Sequence, residues 1–114
     1  MRVYVAGPYS GPNVIDILAK MRKGLMVTID VLKKGHAPFS PWLDFQFGLV
    51  ADDITIDMYY RFSMEWLEGA EAVLMVPGWE ISKGASKERD RAIELGIPVY
   101  YSVDELPAGK PMGV

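Results

Sequence analysis

Short apolar runs alternate along this chain with longer stretches of helical periodicity, and glycine or proline marks most of the junctions. Val3 to Ala6 is apolar, β-branched and aromatic and stops at Gly7-Pro8, the pattern of a buried strand. Tyr9-Ser10-Gly11-Pro12-Asn13 is a turn-rich loop that ends in a candidate N-cap. Ile17, Met21, Leu25, Thr28 and Leu32 then recur at three- and four-residue spacings, predicting a long helix closed by Lys33-Lys34-Gly35. His36 to Pro41 suits a short strand with its prolines near the ends. Trp42 to Asp53 has no clean period. A second helix is predicted from about Thr55 to Glu68, with Met58, Phe62 and Trp66 four apart and Gly69 behind it. Glu71 to Val76 is the clearest strand, and Pro77-Gly78 stops it. A loop from Trp79 to Lys83 leads into a third helix, Gly84 to Leu95, closed by Gly96, and Ile97 to Tyr101 makes a fourth strand. Ser102 to Val114 holds Pro107, Gly109 and Pro111 and is expected to be irregular.

This alternation is the signature of an α/β protein with a parallel sheet covered on both faces. Right-handed crossovers make it a doubly wound, Rossmann- or flavodoxin-like open sheet of about four strands in order 2-1-3-4, in a single domain spanning residues 1–114. Ligands of such sheets bind beyond the carboxyl ends of the strands. Here that edge is built from the loops Gly7 to Asn13 and Pro77 to Gly84.

Composition narrows the chemistry. The 114 residues, half of them hydrophobic, suffice for one real core. A net charge of −3 argues against a nucleic-acid polymer as partner, although backbone N–H groups can still hold a single phosphate. Cysteine is absent and His36 is the lone histidine, which excludes disulfides, thiolate catalysis and cysteine or multi-histidine metal sites. Neither a signal peptide nor an apolar run near the roughly twenty residues of a membrane span is visible, so a soluble cytoplasmic protein is expected.

Gly7-Pro8-Tyr9-Ser10-Gly11 joins a strand to a helix N-terminus, where glycines permit close backbone approach and free N–H groups favour an anion. It is neither a P-loop nor a dinucleotide fingerprint, and a tight turn that simply needs glycine explains it as well. Glu88 is more informative. Ala85, Glu88, Ala92 and Leu95 share one helix face, so a carboxylate stands on a stripe that packs on the sheet, in the first turn and at the cleft mouth. Burial raises its pKa while the helix N-terminus favours its ionised form, and a poised carboxylate there suits a nucleophile at an anomeric carbon. A first-turn glutamate stabilised by the helix dipole is the alternative. Tyr4 reads as core, with a hydroxyl able to reach Glu88; His36 reads as a surface or hydrogen-bonded histidine. Trp79 either covers a planar base or packs.

Taken together, Val3-Tyr4-Val5-Ala6-Gly7-Pro8-Tyr9-Ser10-Gly11, the Ala72–Val76 strand, Pro77-Gly78-Trp79-Glu80, Ser82-x-Gly84-x-x-x-Glu88 and Leu95-Gly96-Ile97-Pro98-Val99 resemble the nucleoside 2-deoxyribosyltransferase superfamily. The similarity is greatest to its small nucleotide N-glycosidase branch and to related phage and bacterial proteins of unknown function. It extends over nearly the whole chain. The resemblance implies that Glu88 is the nucleophile, that Tyr4 hydrogen-bonds it, that Gly7 to Gly11 holds a 5′-phosphate, and that Ser82 contacts sugar or phosphate. It implies no cofactor and a homodimer or higher homo-oligomer in which a neighbouring subunit completes the site, with the tail around Met112 as contributor. One position departs: Ser63 stands where the superfamily has an aspartate that assists leaving-base protonation, so another acid, Asp44, Asp57 or Glu65, serves instead, or turnover is weak or absent.

The expected activity is cleavage or transfer of the N-glycosidic bond of a nucleoside or nucleoside 5′-monophosphate through a glycosyl-Glu88 ester. Glu88 and Tyr4 are the catalytic pair; Gly7, Pro8, Tyr9, Ser10, Gly11, Asp44, Trp79, Ser82 and Gly84 are the expected substrate contacts. The rival from another class is a non-catalytic nucleotide-binding module on the same fold, motivated by Ser63. A flavodoxin-like electron carrier fits less well, because the first loop lacks a Ser/Thr-rich run for a flavin phosphate. A receiver domain is disfavoured by Gly7-Pro8 in place of an acidic pair.

Overall fold

The computed structural model describes residues 1–110. Strand β1 (Arg2–Ala6) lies inside a four-stranded parallel sheet, between β2 (Ala37–Phe39) and β3 (Ala72–Met75), and β4 (Val99–Tyr100) pairs with β3. The order is β2-β1-β3-β4, as the alternation of elements requires. Because side chains alternate across a strand, the sheet carries two cores. Val3, Val5, Ala72, Leu74 and Val76 face one side with Val31, Trp42 and Leu106. Tyr4, Ala6, Val73 and Met75 face the other with Leu67, Ala85 and Ala92.

Among the described residues there are four α-helices, and all but the second pack on these faces. Helix α1 (Val14–Lys33) is capped by Asn13, whose side chain accepts from the Asp16 N–H at 2.9 Å. The buried positions of α1 are Gly24 and Val31, whereas Leu32, expected on the inward stripe, is 45 % exposed. Met21 of the expected row does pack on the core, but the fully buried positions fall one residue before Leu25 and Leu32, and this places a glycine against the Trp42 indole. Helix α2 (Phe45–Val50) follows a 3-10 turn at Pro41–Asp44. Six residues without an inward apolar row leave no period to read.

Helix α3 (Ile56–Glu68) starts at Thr55, whose hydroxyl accepts from the Met58 N–H. Its buried residue is Leu67, while Met58 and Trp66 are about half exposed. Two members of the four-spaced row, Phe62 and Trp66, pack on Phe39 of β2. Phe39 stacks on Trp66 at 5.2 Å between ring centroids and meets Phe62 at 6.0 Å. Helix α4 (Lys83–Glu94) buries Ala85, Glu88 and Ala92. Leu95, expected on the same stripe, sits just past the helix end and is 41 % exposed.

The outer strands are shorter than the apolar runs that announced them. Pro98, immediately before β4, has no N–H to give a ladder, which suits an edge. The segment after β4 is docked where the sequence promised only irregularity: Leu106 is buried and the Gly109 N–H donates to the Lys34 carbonyl at 3.0 Å. Gly35 makes this possible with φ +95°, since a Cβ there would run into the Lys110 carbonyl. Among the described residues no helix is long and apolar enough to cross a membrane.

Candidate active site

Alternation along β1 turns Tyr4 toward α3 and α4, and the 3.6-residue period of α4 turns Glu88 back toward it. The Tyr4 hydroxyl donates to the Glu88 carboxylate. Tyr4 is fully buried and Glu88 is 9 % exposed. Burial pushes the Glu88 carboxyl up to about 7; the hydrogen bond from Tyr4 opposes the rise and the charge of Asp44 adds to it. Burial, and then the Glu88 charge, hold the Tyr4 hydroxyl far above its usual range, so it stays a proton donor. Helix α4 begins at Lys83, so Glu88 is its sixth residue and lies in the second turn, not the first. The helix dipole therefore supports the carboxylate less than its expected placement implied.

The pair forms part of the wall of a cavity of about 1000 Å³, at the upper end of the roughly 300–1,000 Å³ usual for small-molecule sites. From the loop after β1 come Gly7, Pro8, Tyr9 and Ser10; from the start of α4 come its cap Ser82 and Gly84; Asp44 enters from the 3-10 turn after β2. Ser82 Oγ accepts from the Ala85 N–H at 3.1 Å as the cap of α4, which leaves its own O–H free to donate. Asp44 is 8 % exposed and burial pushes it up to about 6. Tyr9 is raised to about 12, by burial first and the Asp44 charge second.

Helix α3 brings Ser63, already marked by its position, and with it two tyrosines that the sequence did not single out, Tyr59 and Tyr60. Tyr59 and Ser63 are four apart, so the one-turn spacing was the signal available. Cations stand around the cavity as well. Lys20 lines it while donating to the Ser10 carbonyl at 2.6 Å, and Lys87 lies over the Tyr60 ring at 5.7 Å.

Two of the anticipated contacts are not in the wall. Trp79 packs on Tyr101, with ring centroids 5.9 Å apart, and under the Arg89 guanidinium at 5.1 Å. Gly11 is turned toward Asp16, where a Cβ would collide with the carboxylate. Gly7 does reach the cavity, yet packing alone demands a glycine there: a Cβ would stand 2.8 Å from Val76 Cβ and 3.0 Å from the Trp42 ring. His36 is buried away from the cavity, its Nε2 donating to the Pro107 carbonyl at 2.7 Å. Asp57 lines the cavity but is exposed, and Glu65 is exposed and outside it. Met112 lies outside the described residues. Among the described residues no group of three or more His, Asp or Glu could hold a metal ion.

No curated protein sequence matches the chain. Among solved structures, the 2-deoxyribosyltransferase from the psychrotolerant bacterium Bacillus psychrosaccharolyticus superposes with a TM-score of 0.61 at 20 % identity, over 99 % of this chain and 77 % of that one. At that identity the likeness is one of fold: a parallel α/β sheet in the 2-1-3-4 order. The sequence itself is matched over residues 1–101 by one family profile, and the chain belongs to that family, the domain of unknown function DUF4406.

Proposed function

We propose that the protein cleaves or transfers the N-glycosidic bond of a nucleoside or nucleoside 5′-monophosphate. The observation that carries this reading is a buried carboxylate, Glu88, held by a tyrosine hydroxyl in the wall of a cavity at the carboxyl edge of the sheet. Glu88 attacks C1′, the bond to the base breaks, and a glycosyl ester forms on its carboxylate; water or a second base then resolves the ester with retention. Tyr4 orients Glu88 by its hydrogen bond. Gly7 to Ser10 and Ser82 hold the sugar 5′ end, where Lys20 supplies a cation suited to a phosphate. The fold shared with a 2-deoxyribosyltransferase supports the same chemistry. No cofactor is required.

A homodimer or higher homo-oligomer accompanies this reading. Leu49, Ile56 and Ile81 line the cavity yet are 71 %, 84 % and 81 % exposed, an apolar rim that a second copy of the chain covers. Sedimentation velocity checks it; a monomer at every concentration overturns it.

The activity is tested by incubating the protein with nucleosides and nucleoside 5′-monophosphates and following free base. Base release that vanishes in Glu88→Ala is the expected result. Release that persists in that variant removes the nucleophile assignment. Saturable calorimetric binding without release at any pH makes the protein a nucleotide-binding module instead.

A further inference from the structure

The cavity holds a second buried carboxyl that the nucleophilic step does not use. Asp44 ends the 3-10 turn Pro41–Asp44, two residues after Trp42, whose indole N–H is fixed on the Pro8 carbonyl at 3.0 Å. It is as buried as Glu88, and among the described residues no Lys, Arg or His pairs with it. It lines the same cavity as Glu88, Tyr4 and Tyr9. An unpaired carboxyl is costly to keep buried as an anion, and it is affordable as an acid.

We infer that Asp44 is the acid that protonates the departing base, an inference that rests on the N-glycosidase reading above. As Glu88 Oε bonds to C1′, the C1′–N electron pair leaves with the base, and the base takes the proton from Asp44 Oδ. In the second half, the Asp44 carboxylate removes a proton from the attacking water, or from the N–H of an incoming base, while Glu88 departs as a carboxylate. Atoms and charge balance with no further reactant.

The other candidates are less well placed. The Ser63 hydroxyl sits beside Tyr4 and is too weak an acid. Asp57 is exposed to solvent and Glu65 lies outside the cavity. Burial raises Asp44 to about 6, which keeps part of it protonated toward neutral pH. The Tyr4 hydroxyl steadies the Glu88 anion, and the step runs from the form in which Glu88 is ionised and Asp44 carries the proton.

The test compares leaving groups that do and do not need a proton. Guanosine and 2′-deoxyguanosine 5′-monophosphates are run beside their N7-methyl derivatives, whose base departs without protonation. Asp44→Asn is expected to lower kcat about 10²- to 10⁴-fold on the parent nucleotides, with KM little changed. The loss on the N7-methyl nucleotides is expected to stay below about 10-fold, Asp44→Glu to restore part of the parent rate, and Glu88→Ala to abolish all four reactions. Equal losses on both leaving groups, or no loss, overturn the role of Asp44 and leave the N-glycosidase reading intact. A wild-type protein that cleaves none of the four nucleotides overturns both. Unchanged circular dichroism of Asp44→Asn separates a chemical defect from misfolding.

Discussion

Gly24 in α1 and Trp42 in the turn after β2 are fitted to each other so closely that a Cβ on Gly24 would stand 2.5 Å from Cε2 of the indole. The ring has nowhere to go, being 1 % exposed and tied through its N–H to Pro8. Gly24→Ala therefore sets a helix-propensity gain of roughly 1 kcal/mol against an overpacking cost of roughly 1–3 kcal/mol. A net loss of stability in urea denaturation is the expected outcome. A variant as stable as wild type would show that Trp42 is free to shift.

Tyr4→Phe deletes one hydroxyl from the core and leaves the Glu88 carboxylate without its donor. A hydrogen bond to a charged group contributes about 1.5–3 kcal/mol, so base release is expected to fall about 10- to 100-fold. Its acid limb should move to higher pH, because the hydrogen bond is what holds the Glu88 pKa down. Kinetics across pH 5 to 9 check both parts together.

Stability carries a second signature of the same carboxyl. The folded protein keeps a proton on Glu88 up to about pH 7, whereas the unfolded chain gives it up near the ordinary value of 4.5. Between those pH values the unfolded state binds fewer protons, so this contribution is complete at low pH and fades as pH rises through 7. Glu88→Gln removes the penalty. At pH 8 it is expected to be more stable than wild type by about 3 kcal/mol, with little advantage at pH 4. Thermal melts at both pH values read the difference.

Asp44 raises the Glu88 pKa through its charge. Asp44→Asn removes that charge, and the Glu88 carboxyl should titrate at lower pH in the variant. Carbon-13 NMR of labelled glutamate follows this without any turnover. An unchanged titration would place the two groups too far apart to share a site.

The strand order, the three longer helices and the inward turn of Glu88 were legible because each rests on a period that one face must bury: Val3–Ala6, Ala72–Val76, and Ala85, Glu88 and Ala92. Where a row of large side chains was available for another purpose, the reading slipped. Met58, Phe62 and Trp66 have helical spacing, yet Phe62 and Trp66 meet Phe39 and Met58 is half exposed. The one-residue shift of α1 follows from Gly24, whose value lies in what it lacks and which no hydrophobicity pattern marks. The α3 wall of the cavity was hidden for a similar reason: Tyr59 and Tyr60 are large aromatics that sequence assigns to a core as readily as to a ligand. Asp44 could be named only as one acid among three, since its burial depends on a turn fixed by a tryptophan bonding to a distant loop.

The placement of β1 between β2 and β3 bears on how the chain is made. Its neighbour β3 begins at Ala72, so during synthesis Val3 to Ala6 leave the ribosome long before one of their two edges can be occupied. An unpaired apolar edge is prone to self-association. Nascent chains from which β3 has not yet emerged are the ones to call on holdase chaperones, and emergence of Ala72 to Met75 from the ribosome relieves that demand.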